Sequence, residues 1–551
     1  MFFNAKLLLI TYLLGQAIAS VDPLRSSVSV KIRNGTVVGV NDERNQVQRF
    51  LGIPYAQPPV GDLRLRHAIP LNTSFNTFHA QSFGSACYGP EIDSNPDSSE
   101  GCLTLNIWRP AGQNKADALK PVMVWFYGGG LRAGYTADPK FEGTNIVRIS
   151  SEINKEILLV SVNYRLGPLG FLNGQQMGEL GLLNLGMLDQ RLALHWIQEN
   201  IAAFGGDPSK VTISGESAGA VSVYSHMMAY GGRDDRLFRA GILESGGAFP
   251  LTSANTSSFQ DTFDSIITNT SCSSFADAPP AEQLDCIRKL PVRTFLSSVG
   301  PDTGQSIDGS FSQTSIHFAL PAEKYVKVPT IVGTNTDEGT NSAPTGINTT
   351  AQLRGPLSEG FHRPKLLPNS TISKLLNLYT NDPRHGCPYN TGSTRLTSGK
   401  LDKKACSIFG DIVQIGPARM IAQWLTKNNR DSTNAPVYRY RFNHLPHDTD
   451  ASNITAGIGT GVEQRYVFSN LVPDHPWDRA LAYDLSRAWV SFVHGLDPNI
   501  GGDSTLPEWP VYGADGKSMV FSGYGSSIEE DTYRGEAVDY IIETVLPYGA
   551  L

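Results

Sequence analysis

Short apolar runs rich in β-branched residues recur along the chain, and stretches with a helical pattern lie between them. The runs that predict buried strands are Pro121–Tyr127, Ile157–Asn163, Lys210–Ser214 and Thr330–Thr334. The clearest helical patterns cover Asn184–Ala203 and Ala218–Ala229. Strands that alternate with helices in this way favour a doubly wound α/β fold, with a mostly parallel central sheet flanked by helices.

Long loops are expected to decorate this sheet. The segment Ser253–Val328 is rich in Ser, Thr and Pro and has weak periodicity, which indicates loops and short helices. Loops of this kind commonly form the walls of binding sites. Neither an internal repeat nor a linker divides the chain, so we predict a single domain over residues 21–551.

The first 20 residues have the layout of a secretory signal peptide. Lys6 precedes the apolar run Leu7–Leu14, and Ala17-Ile18-Ala19 provides small residues for cleavage. The run is too short to span a bilayer, and a buried N-terminal helix is the alternative. No other stretch approaches 18 uninterrupted apolar residues, so we expect a soluble secreted protein without a transmembrane anchor.

Composition excludes several function classes. Of the 551 residues, 40% are hydrophobic and 18% are charged, which is typical of a soluble globular protein and excludes fibrous, disordered and membrane-bundle classes. The 45 basic and 52 acidic residues give a net charge of −7, so we expect no nucleic-acid partner.

The six cysteines fit an oxidising compartment. They allow 15 pairings, but each lies close to one neighbour, which suggests three local loops. A loop of this size stabilises a protein by about 3 kcal/mol. A metal site is the weaker interpretation, because no two of them have the short spacing of zinc ligands, and we predict none. The suggested loops join Cys87 to Cys102, Cys272 to Cys286 and Cys387 to Cys406.

Seven Asn-x-Ser/Thr sequons are consistent with a glycosylated surface on a secreted protein. They begin at Asn34, Asn72, Asn255, Asn269, Asn348, Asn369 and Asn453.

The sequence Gly215-Glu216-Ser217-Ala218-Gly219 follows a predicted strand and precedes a predicted helix. This is the Gly-x-Ser-x-Gly elbow in its expected context, because a strand that turns abruptly into a helix strains the serine backbone and leaves room only for glycine on either side. The alternative is a glycine-containing loop with an incidental serine. We predict that Ser217 is a nucleophile and that the N–H group of Ala218 faces the same space.

A second glycine-rich turn, Gly128-Gly129-Gly130, ends the predicted strand Pro121–Tyr127. Consecutive glycines let backbone N–H groups approach a substrate without interference from Cβ atoms. We therefore assign Gly129, Gly130 and Ala218 to an oxyanion hole, with an ordinary tight turn as the alternative.

Four long segments resemble the type-B carboxylesterase and lipase family, which includes fungal secreted lipases and cholinesterases. They are Phe50–Arg64 (FLGIPYAQPPVGDLR), Ser98–Pro110 (SSEGCLTLNIWRP), Val162–Leu172 (VNYRLGPLGFL) and Gly186–Ala220. The resemblance covers nearly the whole mature chain. It implies an α/β-hydrolase fold, a nucleophile at Ser217, and disulfides Cys87–Cys102 and Cys272–Cys286, whereas Cys387–Cys406 rests on spacing alone.

The same resemblance implies the other groups of the site. Glu338, in the loop after strand Thr330–Thr334, occupies the position of the family's triad carboxylate, and Asp337 beside it is expected to be a structural loop residue. Glu244-Ser245, in the sequence ILESGG, resembles a position that supports the triad and does not react itself. The substrate is then a small-molecule or lipid ester, and no metal or organic cofactor is needed.

The chain departs from the family pattern at the triad histidine. In GIGTGVEQRYVFSN (Gly457–Asn470), Glu463 and the expected strand Tyr466–Phe468 align with the family, and the histidine position falls on Thr460. A hydroxyl has no suitable pKa for a base that must take and return a proton near neutral pH. Six histidines follow Glu338 in the chain: His362, His385, His444, His447, His475 and His494. Of these, His444 and His447 are the best placed to substitute for the triad histidine.

Three hypotheses follow. The first and preferred one is a secreted serine esterase or lipase that acts through Ser217 with an unusual or relocated base. The second is a catalytically impaired, cholinesterase-like binding protein. The third is an acyl-transfer or cyclisation enzyme of secondary metabolism that needs only the pocket and the oxyanion hole. The intact Ser217, Glu338 and glycine turn favour the enzyme, because a binding role does not require them together.

Overall fold

The computed structural model describes residues 25–548, apart from 91–96, 113–117, 248–250, 254–255, 301, 360–365, 397, 430–434, 448–455, 473–474, 500 and 502–503. The predicted signal peptide and the sequons at Asn255 and Asn453 lie outside the described residues. Within the described part of the chain, no helix has both the length and the apolar character needed to cross a membrane.

The strands follow the apolar runs and continue beyond them at both ends of the chain. In the described residues they are β1 (Arg25–Ile32), β2 (Gly35–Asp42), β3 (Val47–Pro54), β4 (Thr77–His79), β5 (Ala86–Cys87), β6 (Ser98–Ser99), β7 (Thr104–Pro110), β8 (Lys120–Phe126), β9 (Leu158–Val162), β10 (Gly206–Glu216), β11 (Ala240–Glu244), β12 (Thr252–Ser253), β13 (Ser306–Ile307), β14 (Thr330–Asn335), β15 (Val437–Phe442), β16 (Lys517–Phe521) and β17 (Ser527–Glu530).

Thirteen strands form one sheet, in the order β1-β2-β3-β7-β9-β8-β10-β11-β14-β15-β16-β17, with β4 paired to β2. The strands from β9 to β16 in that order are parallel. The outer strands β1, β2, β3, β7 and β17 add antiparallel pairings, which were not predicted. Because the carboxyl ends of parallel strands share one edge of the sheet, the loops after β8, β10, β11 and β14 meet there.

Helices cover the sheet and fill the connections between strands. In the described residues the α-helices are α1 (Thr144–Glu152), α2 (Gly167–Phe171), α3 (Gln175–Glu179), α4 (Leu185–Asn200), α5 (Ala218–Gly232), α6 (Ser257–Thr268), α7 (Pro280–Lys289), α8 (Val292–Ser298), α9 (Ile316–Ala319), α10 (Arg354–Glu359), α11 (Asn369–Leu378), α12 (Asp402–Gly410), α13 (Gly416–Asn428), α14 (Gln464–Val467), α15 (Pro476–Gly495), α16 (Gly535–Tyr540) and α17 (Leu546–Tyr548).

The predicted strand Tyr466–Phe468 is wrong, because this segment is helical. The backbone N–H groups of Tyr466 and Val467 donate to the carbonyl of Glu463 at 2.8 and 3.0 Å, which closes a helical turn. The aromatic-Val-Phe pattern favours a strand locally, but all three side chains are fully buried in the core in the helical conformation. Tertiary burial therefore overrides β propensity here.

Two hydrophobic cores hold the molecule together. The main core runs along the sheet from Val30 to Leu546. A smaller one joins α2, α3, α6, α7 and α8 through residues such as Leu169, Phe263 and Ile287. The segment Ser253–Val328, expected to form loops and short helices, thus supplies most of a separate small core beside the sheet.

The structure contains three disulfides, and they are the three expected pairs: Cys87–Cys102, Cys272–Cys286 and Cys387–Cys406. The sequon at Asn34 does not fit the predicted glycosylated surface. The side chain of Asn34 is buried, and its Nδ2 donates to the carbonyls of Leu71 and Thr73 at 2.8 and 3.0 Å. A glycan needs that nitrogen in solvent. The sequon residues Asn72, Asn269, Asn348 and Asn369 are exposed.

Candidate active site

Ser217 lies between the end of β10 and the start of α5, with φ 53° and ψ −118°. Glycine is required on both sides of it, because neighbouring backbone leaves no space for a side chain. A Cβ atom at Gly215 would lie 2.5 Å from the backbone carbon of Gly219, and one at Gly219 would lie 1.9 Å from the carbonyl oxygen of Phe126. The turn is therefore the strained elbow that the sequence predicts.

Backbone hydrogen bonds hold this elbow in place. The N–H group of Ser217 donates to the carbonyl of Glu244 on the neighbouring strand β11 at 2.8 Å, and the carbonyl of Ser217 accepts from Val221 in α5 at 3.0 Å. The N–H groups in the first turn of a helix lack partners within that helix. Ala218 is the first residue of α5, so its N–H group is one of these and lies beside Ser217.

The glycine-rich turn after β8 faces the elbow. Gly129 and Gly130 have positive φ angles of 102° and 65°. The carbonyl of Gly129 accepts hydrogen bonds from Arg132 and Ala133, both at 3.0 Å, which closes the turn. Among the described residues, the N–H groups of Gly129 and Gly130 have no backbone acceptor. They can therefore bind an oxygen of a ligand.

Glu338 follows β14 and is fully buried. Its Oε1 accepts the N–H group of Asn335 at 2.6 Å and the hydroxyl of Ser245 at 2.7 Å. Its Oε2 accepts the hydroxyl of Thr460 at 2.6 Å. Burial raises the pKa of Glu338, and these three hydrogen bonds oppose the rise. The acid predicted from the sequence and the residue at the histidine position are thus in direct contact.

Thr460 uses its hydroxyl proton in this contact, so the contact gives it no means of accepting a proton from Ser217. Both residues line the same cavity. A neutral hydroxyl is also far too weak a base near pH 7. The structure therefore brings the predicted nucleophile and the predicted acid to one site and leaves a hydroxyl where an imidazole is expected.

No described residue that lines the cavity is a histidine. The two best-placed substitutes, His444 and His447, instead bind Asp478. His444 Nε2 lies 2.5 Å and His447 Nδ1 lies 2.9 Å from the same carboxylate oxygen, and His444 Nδ1 accepts the N–H group of Gly523 at 3.2 Å. Burial lowers the pKa of His444. His385, His475 and His494 do not line the cavity either. His362 lies outside the described residues.

Four buried carboxylates, Glu216, Glu244, Glu338 and Glu463, lie close together behind the elbow. Burial and then the charges of Glu463, Glu338 and Glu244 raise the pKa of Glu216 well above its ordinary value. Burial and then the charge of Glu463 raise the pKa of Glu244 in the same way, although Trp489 Nε1 donates to it at 2.7 Å. Burial and the charge of Glu338 raise the pKa of Glu463 to about 7. At neutral pH part of this cluster is protonated.

Side chains from distant parts of the chain connect the cluster. Ser245 donates to Glu338 at 2.7 Å and also lies 3.2 Å from Glu463 Oε1. Asn335 Nδ2 donates to Glu463 Oε2 at 2.5 Å and to the carbonyl of Gly459 at 2.6 Å. The sequence interpretation singled out Ser245 and Glu463 but missed Asn335. The signal for it was a polar amide at the end of a buried strand, directly before the acidic loop.

Asp337 has the structural role expected of it. Its two carboxylate oxygens accept the backbone N–H groups of Tyr389 at 2.8 Å and Ile458 at 2.9 Å. It therefore connects the loop after β14 to the segment that carries Thr460, and it does not line the cavity.

The cavity that contains Ser217 has a volume of about 650 Å³, which is within the range of small-molecule sites. Its apolar wall consists of Leu131, Val221, Leu251, Phe259 and Val413. Its polar lining includes the glycine turn, Thr460, Gln305 and Gln414. A ligand with an apolar chain and one polar, reactive end fits this distribution.

Known proteins are similar to this chain in sequence and in structure over most of its length. Residues 26–540 match the model of the carboxylesterase family. The chain belongs to the carboxylesterase family. Secreted lipase 1 of Botryotinia fuckeliana (strain B05.10) is 33% identical over 90% of this chain and 89% of that protein. Lipase 1 of Geotrichum candidum is 31% identical over 98% and 99%, respectively. The crystal structure of Aspergillus niger EstA is similar with a TM-score of 0.82 and 28% identity, over 96% of this chain and 99% of that one.

These comparisons confirm the family and the α/β-hydrolase fold that the sequence motifs implied. They also confirm the class of enzyme, a carboxylic ester hydrolase.

Proposed function

We propose that this carboxylesterase is a secreted serine hydrolase that cleaves small-molecule or lipid esters through an acyl-enzyme on Ser217. One observation carries the proposal. Ser217 occupies the strained turn between β10 and α5, at a cavity lined by the glycine turn. A strained serine conformation at such a place has a cost of about 1–3 kcal/mol, which is characteristic of functional sites.

In the proposed reaction Ser217 Oγ attacks the ester carbonyl carbon. The carbonyl oxygen becomes negatively charged and is bound by the N–H groups of Gly129, Gly130 and Ala218. The alcohol then leaves with a proton, and the acyl group remains on Ser217. A water molecule adds to this acyl group, and release of the acid restores the serine hydroxyl.

The apolar wall supplies the place for the acyl or alcohol chain, since apolar side chains there exclude water from the ester. Secretion is proposed on two grounds. Residues 1–20 have the layout of a signal peptide, and the Botryotinia fuckeliana relative is described as a secreted lipase.

Thr460 is proposed to limit the rate. A positioned general base typically contributes 10²–10⁴-fold, and the residue next to Glu338 cannot act as one. A histidine at position 460 would direct one ring nitrogen toward Glu338, in place of the threonine hydroxyl, and the other toward the cavity. We expect Thr460→His to raise kcat/KM at pH 7.5 by about 10-fold or more.

The test is hydrolysis of p-nitrophenyl butyrate by the purified protein, together with Ser217→Ala and Thr460→His. Ser217→Ala is expected to reduce turnover to the background rate and to abolish labelling by a fluorophosphonate probe. Thr460→Gln, which is similar in size to histidine but has no titratable nitrogen, is the matched control and brings no gain. Turnover that is equal in the native protein and in Ser217→Ala would refute the proposal.

A second candidate is a binding or acyl-transfer protein without hydrolytic turnover. The hydrogen bond from Thr460 to Glu338 favours it, because it leaves the family's acid without a base to orient. This candidate predicts that the fluorophosphonate probe labels Ser217 slowly or not at all. It also predicts that the native protein hydrolyses p-nitrophenyl butyrate only at the background rate and that Thr460→His hydrolyses it faster.

A further inference from the structure

Glu216 is the only carboxylate among the described residues that line the cavity, and it directly precedes Ser217. Arg132 is the only other ionisable side chain in the described lining, and a guanidinium stays protonated and cannot accept a proton. Glu216 is therefore the one side chain in the described lining that can accept a proton near neutral pH.

The position of the Glu216 carboxylate can be located from its distances to two glycines, Gly128 and Gly461. A Cβ atom at Gly128 would lie 2.5 Å from Glu216 Oε2 and 3.1 Å from Ser217 Cβ. Glu216 Oε2 and Ser217 Cβ are therefore less than about 6 Å apart. A Cβ atom at Gly461, directly after Thr460, would lie 3.2 Å from Glu216 Oε1. The carboxylate thus lies between the glycine turn and the segment that carries Thr460, beside the residue proposed as the nucleophile.

The other three carboxylates of the cluster are less accessible to a substrate than Glu216. Glu338 is 0% exposed and accepts three hydrogen bonds. Glu244 and Glu463 do not line the cavity, and each accepts a hydrogen bond from a buried side chain. Glu216 is 5% exposed and is among the residues that line the cavity.

The electrostatic surroundings of Glu216 make it a stronger base than an ordinary carboxylate. An ordinary carboxylate is too weak to take a proton from serine efficiently near neutral pH. Burial, with the charges of Glu463, Glu338 and Glu244, raises the pKa of Glu216 well above its usual value.

We propose that Glu216 is the general acid–base residue of this enzyme and transfers the protons that a histidine transfers elsewhere in the family. The inference rests on the proposed function of Ser217. As Ser217 Oγ bonds to the carbonyl carbon, its proton moves to the Glu216 carboxylate. As the bond from carbon to the ester alkoxy oxygen breaks, the protonated Glu216 gives that proton to the departing oxygen.

The second half of the reaction reverses these steps. Water loses a proton to Glu216 as its oxygen bonds to the acyl carbon. The bond between that carbon and Ser217 Oγ then breaks, and the proton on Glu216 passes to the serine oxygen. Glu216 ends the cycle as a carboxylate, so the protons balance without a further reactant.

The test compares the pH dependence of kcat/KM for the native protein and for Glu216→Gln, with p-nitrophenyl butyrate and with ethyl butyrate. The native rate is expected to rise through one ionisation and then to level off. Glu216→Gln is expected to lose the plateau, to fall at least 100-fold at the pH of the native plateau, and to depend on hydroxide concentration at all pH values. The loss is expected to be larger for ethyl butyrate, because its leaving alkoxide needs a proton and p-nitrophenolate does not.

Two further variants separate a proton-transfer role from a structural one. Glu244→Gln removes a buried carboxylate that does not line the cavity but whose charge raises the pKa of Glu216, so it is expected to retain the plateau and to move its onset to lower pH. Glu216→Gln combined with Thr460→His is expected to regain activity with a histidine-like pH profile, which shows that the elbow is intact.

The outcomes distinguish the two proposals. A Glu216→Gln protein that keeps the plateau and the leaving-group dependence of the native protein would overturn the role of Glu216, while loss of turnover in Ser217→Ala would leave the serine mechanism standing. A double variant that stays inactive, together with a Glu244→Gln protein that also loses the plateau, would assign Glu216 to structure and overturn the inference as well. Equal turnover in the native protein and in Ser217→Ala would remove both.

Discussion

Replacing Glu463 by glutamine tests whether the carboxylate cluster strains the folded protein. The pKa of Glu463 is about 7 in the folded state, against roughly 4.3 for glutamate in an unfolded chain. Between these pH values the folded protein holds a proton that the unfolded chain has lost. The free energy of unfolding therefore falls as the pH rises from about 4.3 to about 7, and it stays low above that range. The contribution of Glu463 to this fall is about 4 kcal/mol.

Glutamine can replace Glu463 without breaking the local hydrogen bonds. Its amide oxygen can accept from Asn335 Nδ2, as Glu463 Oε2 does at 2.5 Å. Its amide nitrogen can donate to Ser245 Oγ, which now lies 3.2 Å from Glu463 Oε1. Because the amide carries no charge at any pH, Glu463→Gln is expected to stabilise the protein by up to about 4 kcal/mol at pH 8 and to have little effect at pH 4.5.

The measurement is urea-induced unfolding, followed by tryptophan fluorescence at pH 4.5, 6 and 8. Glu199→Gln, at an exposed position in α4, is the control and is expected to change stability by less than about 0.5 kcal/mol at each pH. A difference between Glu463→Gln and the native protein that is the same at pH 4.5 and pH 8, or a variant that is less stable at pH 8, would refute the reasoning.

Three other substitutions test the scaffold of the site. Gly219→Ala is expected to destabilise the protein by about 3 kcal/mol or more and to abolish ester hydrolysis, because its Cβ would lie 1.9 Å from the carbonyl oxygen of Phe126; thermal unfolding and turnover check this. Gly130→Ala has open space around its Cβ and pays only for its left-handed backbone, so a loss of about 1–2 kcal/mol with the fold retained is expected. Asp189→Ala leaves the buried Arg165 without its carboxylate, which it contacts at 2.7 Å, and should cost about 3–5 kcal/mol in urea unfolding.

Local patterns were enough to predict the centre of the fold. The strand predicted over Thr330–Thr334 and the elbow around Ser217 depend on residues that are adjacent in sequence, so their apolar runs and glycines identify them directly. The outer strands β2 and β3 were missed because they are partly exposed and their apolar positions alternate weakly. The strand expected over Tyr466–Phe468 is a helix, since the backbone bonds to Glu463 decide its conformation.

The connections within the site could not be predicted from the sequence. Ser245 and Glu338 are 93 residues apart, and Asn335 and Glu463 are 128 residues apart. Only the sheet, which brings the ends of its parallel strands to one edge, makes these pairs neighbours. Glu216 was visible only as the variable residue of the elbow motif, because its depth and its charged neighbours appear only in three dimensions.

The small second core has a consequence for how this enzyme can diverge. Phe259 on α6 faces the substrate cavity, whereas Phe263 and Ile266 on the same helix belong to the core shared by α2, α3, α7 and α8. The part of the cavity wall on α6 is therefore anchored by a core separate from the sheet that holds Ser217, whereas Leu131 and Val221 belong to the main core. Because Phe259 belongs to neither core, a substitution there changes the cavity wall without removing a side chain from the packing that positions Ser217. This position can therefore change the shape of the cavity at little cost to the fold.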